Sequence, residues 1–196
     1  MRDVTLAILA GGEGSRMGYP KGELRLGGRP ILPVLLERFA WEGPTLLVTA
    51  PGREHPTGWE RFTREVADPV AGQGPLRGVL TALENSDTPV TVIAAVDMPR
   101  VGSEQLWWVA RELHGHPDAV GLMLRHRGQV QPLPAAFRVT AAALVRRALE
   151  SNRRSLHGLL GDPSVVPVDA PREWGDHIWT NLNFPDDLTG LDSSHG

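Results

Sequence analysis

Apolar residues in this chain come in short unbroken runs, separated by polar stretches rich in glycine and proline. The first run, Val4 to Leu9 (VTLAIL), is stopped by Gly11-Gly12 and predicts a buried strand. Thr45 to Thr49 (TLLVT), closed by Ala50-Pro51-Gly52, predicts a second strand, and Arg64 to Ala67 a short third. Val90 to Val96 (VTVIAAV) is the most strand-like segment of the chain, and Val120 to Leu124 and Ser164 to Val168 add two more. Between these runs the period changes. A helix is expected from Pro30 or Ile31 to about Phe39, because proline is tolerated in a first helical turn. Leu76 to Glu84 carries apolar residues at 76, 79, 80 and 83, which is one helical face. Ser103 is the expected N-cap of a helix bearing Leu106, Trp107, Val109, Ala110 and Leu113, with one tryptophan turned to the core and the other partly exposed. Thr140 to Glu150 predicts a further helix.

Strands therefore alternate with helices, and the strands are apolar throughout rather than at every second position. That combination belongs to a mostly parallel sheet covered on both faces, a three-layer Rossmann-like α/β sandwich. His126 to Phe137 has two prolines and no crossover helix, and reads as a hairpin-like excursion before the Thr140 helix. No repeat or low-complexity linker divides the chain. A single domain over residues 1–190 is expected, with 191–196 as a frayed tail.

Composition narrows the function classes. The net charge of −3 argues against binding nucleic acid by phosphate neutralisation. The absence of cysteine excludes disulfides, zinc–thiolate sites and cysteine nucleophiles. The apolar stretch Val4 to Ala10 is too short for a secretory signal or a membrane span, so a cytoplasmic protein is expected. The histidines show no H-E-x-x-H spacing, and no serine sits in G-x-S-x-G. Against this background one basic cluster stands out: Arg16, Lys21, Arg25 and Arg29, opposed only by Glu13 and Glu23. A solvated loop is the plain alternative for that cluster.

Two of those cations belong to the stretch LAILAGGEGSRMGYPKG, Leu6 to Gly22. It follows the first strand, and ligands of open parallel sheets bind beyond the carboxyl ends of the strands. Glycine N–H groups can point at phosphate oxygens, and Arg16 and Lys21 add charge. The stretch is neither a P-loop, since Lys21 follows Pro20 and precedes Gly22, nor a dinucleotide fingerprint, since Met17 stands at the last glycine position. Two aspartates end other strands, Asp68 in EVADPVAGQGPLRGV and Asp97 in VTVIAAVDMPR. One carboxylate is a poor structural metal site but a good Mg²⁺ anchor when phosphates and water fill the other positions. Turn formation before Pro69 and Pro99 is the alternative for each. GQGPLRG, with Pro75 in a first helical turn, reads as a helix start with free N–H groups. In NLNFPDDL, Asn181 and Asn183 face the same side of an extended chain.

Taken in order, L-A-G-G-x-x-S-R-M-G-x-x-K, D-P…G-P-L-x-G, D-M-P and N-x-N-x-P-x-D-L resemble the molybdenum cofactor guanylyltransferases, or MobA proteins, of the nucleotide-diphosphosugar transferase-like superfamily. The resemblance runs from Leu9 to Leu188. It implies that GTP and molybdenum-molybdopterin give the guanine dinucleotide cofactor and pyrophosphate, with Mg²⁺. By position it assigns Leu9, Ala10, Gly11 and Gly12 to the GTP site, with Arg16 and Lys21 at the phosphates. Thr49 falls where a relative carries a nucleotide-binding asparagine, Asp68 would contact the nucleotide, and Asp97 would hold Mg²⁺. Asn181 and Asn183 would face the pterin or support the metal region. Upstream cofactor-synthesis proteins and acceptor molybdoenzymes are the implied protein partners, with no nucleic acid and no membrane. Two positions depart from the family pattern, Phe184 for threonine and Tyr19-Pro20 ahead of the lysine. A CTP-using or sugar-phosphate relative, and a non-catalytic adaptor carrying molybdopterin, stay open at this point; residue types alone do not choose the base.

Overall fold

The computed structural model describes residues 3–11 and 20–182. Seven strands form one sheet in the order β5-β4-β1-β6-β8-β7-β9. They are β1 (Val4–Leu9), β4 (Thr45–Thr49), β5 (Arg64–Ala67), β6 (Val90–Ala95), β7 (Gly121–His126), β8 (Gln129–Arg138) and β9 (Val165–Asp169). A two-residue pair, β2 (Arg25–Leu26) with β3 (Arg29–Pro30), stands apart as a small hairpin turning on Gly27 and Gly28, both at positive φ. In the large sheet β8 alone runs against the other six strands.

The unbroken apolar runs of β1, β4 and β6 have a simple cause: both faces of these central strands are buried. Successive side chains point to opposite faces. Leu6, Ile8, Val92 and Ala94 pack with helix α1 (Ile31–Phe39) and helix α3 (Ser103–Gly115). Ala7 and Ile93 pack with helix α2 (Pro75–Glu84) and helix α4 (Ala142–Glu150) on the other side. The result is two cores with the sheet between them, the three layers expected.

Chain direction fixes where a ligand can enter. From β1 the chain passes through α1 to β4 on one side. From β5 it returns through α2, on the opposite face, to β6 on the other side of β1. The strands β1 and β6 are paired in parallel, from Val4↔Val90 to Leu9↔Ala95, yet their onward connections diverge. This is the topological switch point, and the crevice beyond it lies at Gly11 and Asp97.

Two local expectations, at Ser103 and at the tryptophan pair, are corrected, and the hairpin-like excursion after His126 is present and longer than the sequence suggested. Gly102, not Ser103, is the N-cap of α3; its N–H donates to Gln105 Oε1 at 2.9 Å, and Ser103 is the first helical residue. The excursion after His126 is a full strand: Arg127 and Gly128 turn the chain at positive φ, and β8 inserts between β6 and β7. Neither Trp107 nor Trp108 is fully core-facing. Both are half-buried, Trp107 stacked on Trp41 at 3.8 Å and Trp108 edge-on to Trp174 at 5.3 Å.

Candidate active site

At the end of β1, the Ala10 N–H donates to Val48 O at 2.8 Å, keeping the chain against β4. A Cβ on Gly11 would stand 3.2 Å from Ala50 N and 3.3 Å from Thr49 C, so a side chain here would press on the neighbouring backbone. On the other side, the Val96 N–H donates to Leu9 O at 3.1 Å, and Met98 N–H back to Ala95 O at 3.2 Å. This tight turn presents Asp97 over the end of β1. Lys21, in a short 3-10 turn spanning Lys21–Glu23, makes an ion pair through Nζ with Asp97 Oδ2. Their side chains are only 21% and 16% exposed. A charge pair this sheltered is screened far less than a surface pair.

Asp68 follows β5 and is held by its own N–H, which donates to Thr49 O at 2.8 Å. Its Oδ1 is buried and has no hydrogen-bond partner among the described residues. Burial pushes the carboxyl above the usual carboxylate range, while the nearby Thr81 hydroxyl and Arg77 guanidinium oppose that shift. Strict hydrogen-bond geometry to Thr81 is absent; its hydroxyl is likewise unpartnered among the described residues. Gly78 lies against this group: a Cβ there would touch Asp68 Oδ2 at an ordinary 3.8 Å and would crowd Leu9 Cδ2 at 3.3 Å.

These residues share a cavity of about 530 Å³, lined by Leu9, Gly11, Lys21, Asp68 and Asp97, and by the loop and helix start from Val70 to Gly78. The volume and the few convergent polar groups suit a nucleotide-sized ligand. A second cleft of about 570 Å³ adjoins it and shares Ala50 and Arg53. Ala10 and Thr49 line this second cleft, not the first. The Thr49 hydroxyl donates to Glu65 Oε1 at 3.0 Å, and Glu65 in turn pairs with His55 Nδ1 at 2.5 Å. The side-chain contact expected of Thr49 is therefore spent on Glu65, and only its backbone carbonyl supports Asp68.

Asn181 is exposed beside the site, and the next residue explains its position. Leu182 is fully buried, and its N–H donates to Asp97 O at 2.8 Å. Gly12, Arg16 and Asn183, also expected here, lie outside the described residues, as do Tyr19 and Phe184. Sequence reasoning missed Leu182, Arg77 and Arg53, and gave Gly78 no function of its own. Among the described residues no three His, Cys, Asp or Glu side chains converge.

A sheltered cation–carboxylate pair at a switch point, above a glycine-walled cavity, suits an α/β protein that binds a nucleoside triphosphate and moves part of it. The MobA-like NTP transferase domain matches residues 6–164, and the chain belongs to that family of nucleotidyltransferases. It is 33% identical over 189 residues to the probable molybdenum cofactor guanylyltransferase of Chloroflexus aggregans, covering 92% of this chain and 89% of that one. The probable molybdenum cofactor guanylyltransferase of Deinococcus radiodurans is 30% identical over 193 residues, with coverage of 97% and 95%. Among solved structures, molybdopterin-guanine dinucleotide biosynthesis protein A from Archaeoglobus fulgidus superposes with a TM-score of 0.79 at 27% identity, covering 95% and 96% of the two chains. The 2-C-methyl-D-erythritol 4-phosphate cytidylyltransferase of Thermus thermophilus shares the fold, with a TM-score of 0.67 at 21% identity and 97% coverage of both chains. The sheet is that of the nucleotide-diphosphosugar transferase fold.

Proposed function

We propose that this protein transfers GMP from GTP to the terminal phosphate of molybdenum-molybdopterin. A phosphate oxygen of the pterin forms a bond to the α-phosphorus of GTP as the bond to the β-phosphate oxygen breaks, and pyrophosphate leaves. The nucleophile is already an anion, so no strong base is needed. The obstacle is repulsion between two polyanions, and the observation that carries the reading is the Lys21–Asp97 pair at the switch point. Lys21 supplies a positive charge next to the position where leaving charge develops, from a side chain that is itself sheltered from water. The Gly11 backbone leaves room for a phosphate to approach closely. Arg16 belongs to the same assignment as a second phosphate-binding cation.

A carboxylate that joins no cluster of three or more His, Cys, Asp or Glu among the described residues suits Mg²⁺, which takes few protein oxygens and leaves the rest to phosphate and water. Asp97 would hold it, and when bound it would neutralise phosphate oxygens. Leu9, Gly11, Gly12 and Asp68 would hold the nucleotide, and Asn181 with Asn183 would face the pterin. No helix among the described residues is long and apolar enough to cross a membrane. The reading carries with it a cytoplasmic location, receipt of the pterin from upstream cofactor-synthesis proteins, and delivery to acceptor molybdoenzymes.

The deciding experiment is pyrophosphate release from GTP, CTP or ATP, with and without molybdenum-molybdopterin. Release with GTP that requires the pterin is expected. Release with CTP alone would replace guanylyl by cytidylyl transfer, and nucleotide binding without release would make the protein an adaptor.

A further inference from the structure

Three cations line the cavity that holds Asp68 and Asp97: Lys21, Arg53 and Arg77. Lys21 is engaged with Asp97, and Arg77 stands 3.9 Å from Glu84. Arg53 is different. It is exposed on the loop after β4, lines both clefts, and has no hydrogen-bond or ion-pair partner among the described residues. A guanidinium at the rim of a ligand cavity, with no protein partner among the described residues, is a donor open to a ligand's acceptors.

Its place along the sheet edge restricts what it can meet. The strand order is β5-β4-β1-β6, and neighbouring strands lie about 5 Å apart. The loop after β4 is thus two strand intervals, about 10 Å, from the Asp97 turn after β6. Phosphates belong at the Lys21–Asp97 end. A nucleotide laid along the edge then carries its base to the β4–β5 end. There the walls are Pro51, Ala71 and Val70, an apolar side chain left 46% exposed, which suit the face of a base. Guanine presents two adjacent acceptors on one edge, O6 and N7, and a planar guanidinium bridges them with two parallel N–H donors. Cytosine and adenine place an amino donor on that edge, which would face the cation unfavourably.

We propose that Arg53 is a specificity-determining residue that reads O6 and N7 of the guanine base. The proposal rests on the GTP-dependent reading above. It assigns base selection in part to the loop that follows β4.

Calorimetric titration of the full chain with GTP, 7-deaza-GTP and CTP tests it, using the unaltered protein, Arg53→Ala and Arg53→Lys. The 7-deaza analogue has C–H in place of N7 and retains O6. The unaltered protein is expected to bind GTP about 10-fold more tightly than 7-deaza-GTP, the scale of one charge-assisted hydrogen bond. In Arg53→Ala the two nucleotides should bind within about 2-fold of each other, with GTP affinity down by about 10-fold or more and CTP unaffected. Arg53→Lys should recover only part of the GTP affinity, because a point charge does not bridge two acceptors. Arg53 is exposed, so an unchanged melting temperature is expected and separates loss of binding from loss of fold. Equal losses for GTP and CTP would overturn the proposal and make Arg53 a phosphate clamp; unchanged GTP binding would overturn it outright. Failure of the unaltered protein to bind any nucleotide would instead defeat the functional reading on which it rests.

Discussion

Asp68 and Asp97 are both carboxylates just past the ends of parallel strands, and their surroundings give them different properties. Asp97 is paired with Lys21, so its charge is compensated before any substrate arrives. Replacing it by Asn keeps the shape and removes the charge. Asp97→Asn is expected to lower kcat by about 100-fold or more, the scale of losing a preorganised electrostatic group, while KM for GTP changes less. Steady-state pyrophosphate release checks this, and full activity in the presence of Mg²⁺ would sink the metal assignment. Asp68 is compensated only in part, by Thr81 and Arg77, and burial raises its pKa. The folded state then holds the proton more tightly than the unfolded state. Stability contributed by this group falls as pH climbs from below the ordinary carboxylate range through the raised folded value. Asp68→Asn is therefore expected to raise Tm at neutral pH, and the gain should vanish at pH below that range. Thermal melts of both proteins across pH read it directly, and a gain that persists unchanged into acid would refute the electrostatic origin. On the proposed role of Asp68 in holding the nucleotide, the same substitution is expected to weaken nucleotide binding, a trade of stability for function that calorimetric titration with GTP checks.

At the level of elements, the start of α2 shows how the site wall is set by backbone. Gly74 has φ 71° and precedes Pro75, the first residue of the helix. A Cβ at Gly74 would lie 2.7 Å from Arg154 O, a backbone atom that cannot step aside as a side chain can. Gly74→Ala should cost about 1–3 kcal/mol through left-handed strain and overpacking, measured by urea denaturation. Glycine and proline in GQGPLRG marked this helix start in the sequence, and the apolar runs of β1, β4 and β6 were equally plain because both faces of those strands are buried. Strand β8 was obscured by Pro132 and Pro134, which lower strand propensity, and its central place between β6 and β7 depends on pairing that no local pattern encodes. Local preference also misled at Ser103: the helix is capped one residue earlier, where the Gln105 side chain reaches back to the Gly102 N–H. In the site, the end-of-strand positions of Asp68 and Asp97 were legible. The diversion of Thr49 to Glu65 was not, because a short strand does not reveal which neighbour a hydroxyl will meet.

Across the whole molecule, the turn that presents Asp97 is braced by segments remote in sequence. Leu9 O accepts from the Val96 N–H, Lys21 pairs with the carboxylate, and Leu182 donates its N–H to Asp97 O. The last of these brings the end of the described chain back to the switch point. It is secured by burial: Leu182 is fully buried in the core on the α1 and α3 side, with Ile178 and Trp174 nearby in the same cluster. The backbone hydrogen bond is made by the main chain, so the leucine side chain contributes by keeping the strap seated where that bond can form. Leu182→Ala should destabilise the protein by about 2–5 kcal/mol, the range for a buried leucine that leaves a cavity. It should also lower kcat at temperatures where the variant is still folded, because the Asp97 turn loses one of its braces while Lys21 and Leu9 keep theirs. Leu182→Met, which conserves volume, should cost less than about 1.5 kcal/mol and retain turnover. Denaturant unfolding and turnover measured on the same preparations separate the two effects. Loss of stability with kcat untouched would show that the strap only closes the core, whereas loss of both, with the methionine variant spared, would tie the C-terminal segment to the chemistry at Asp97.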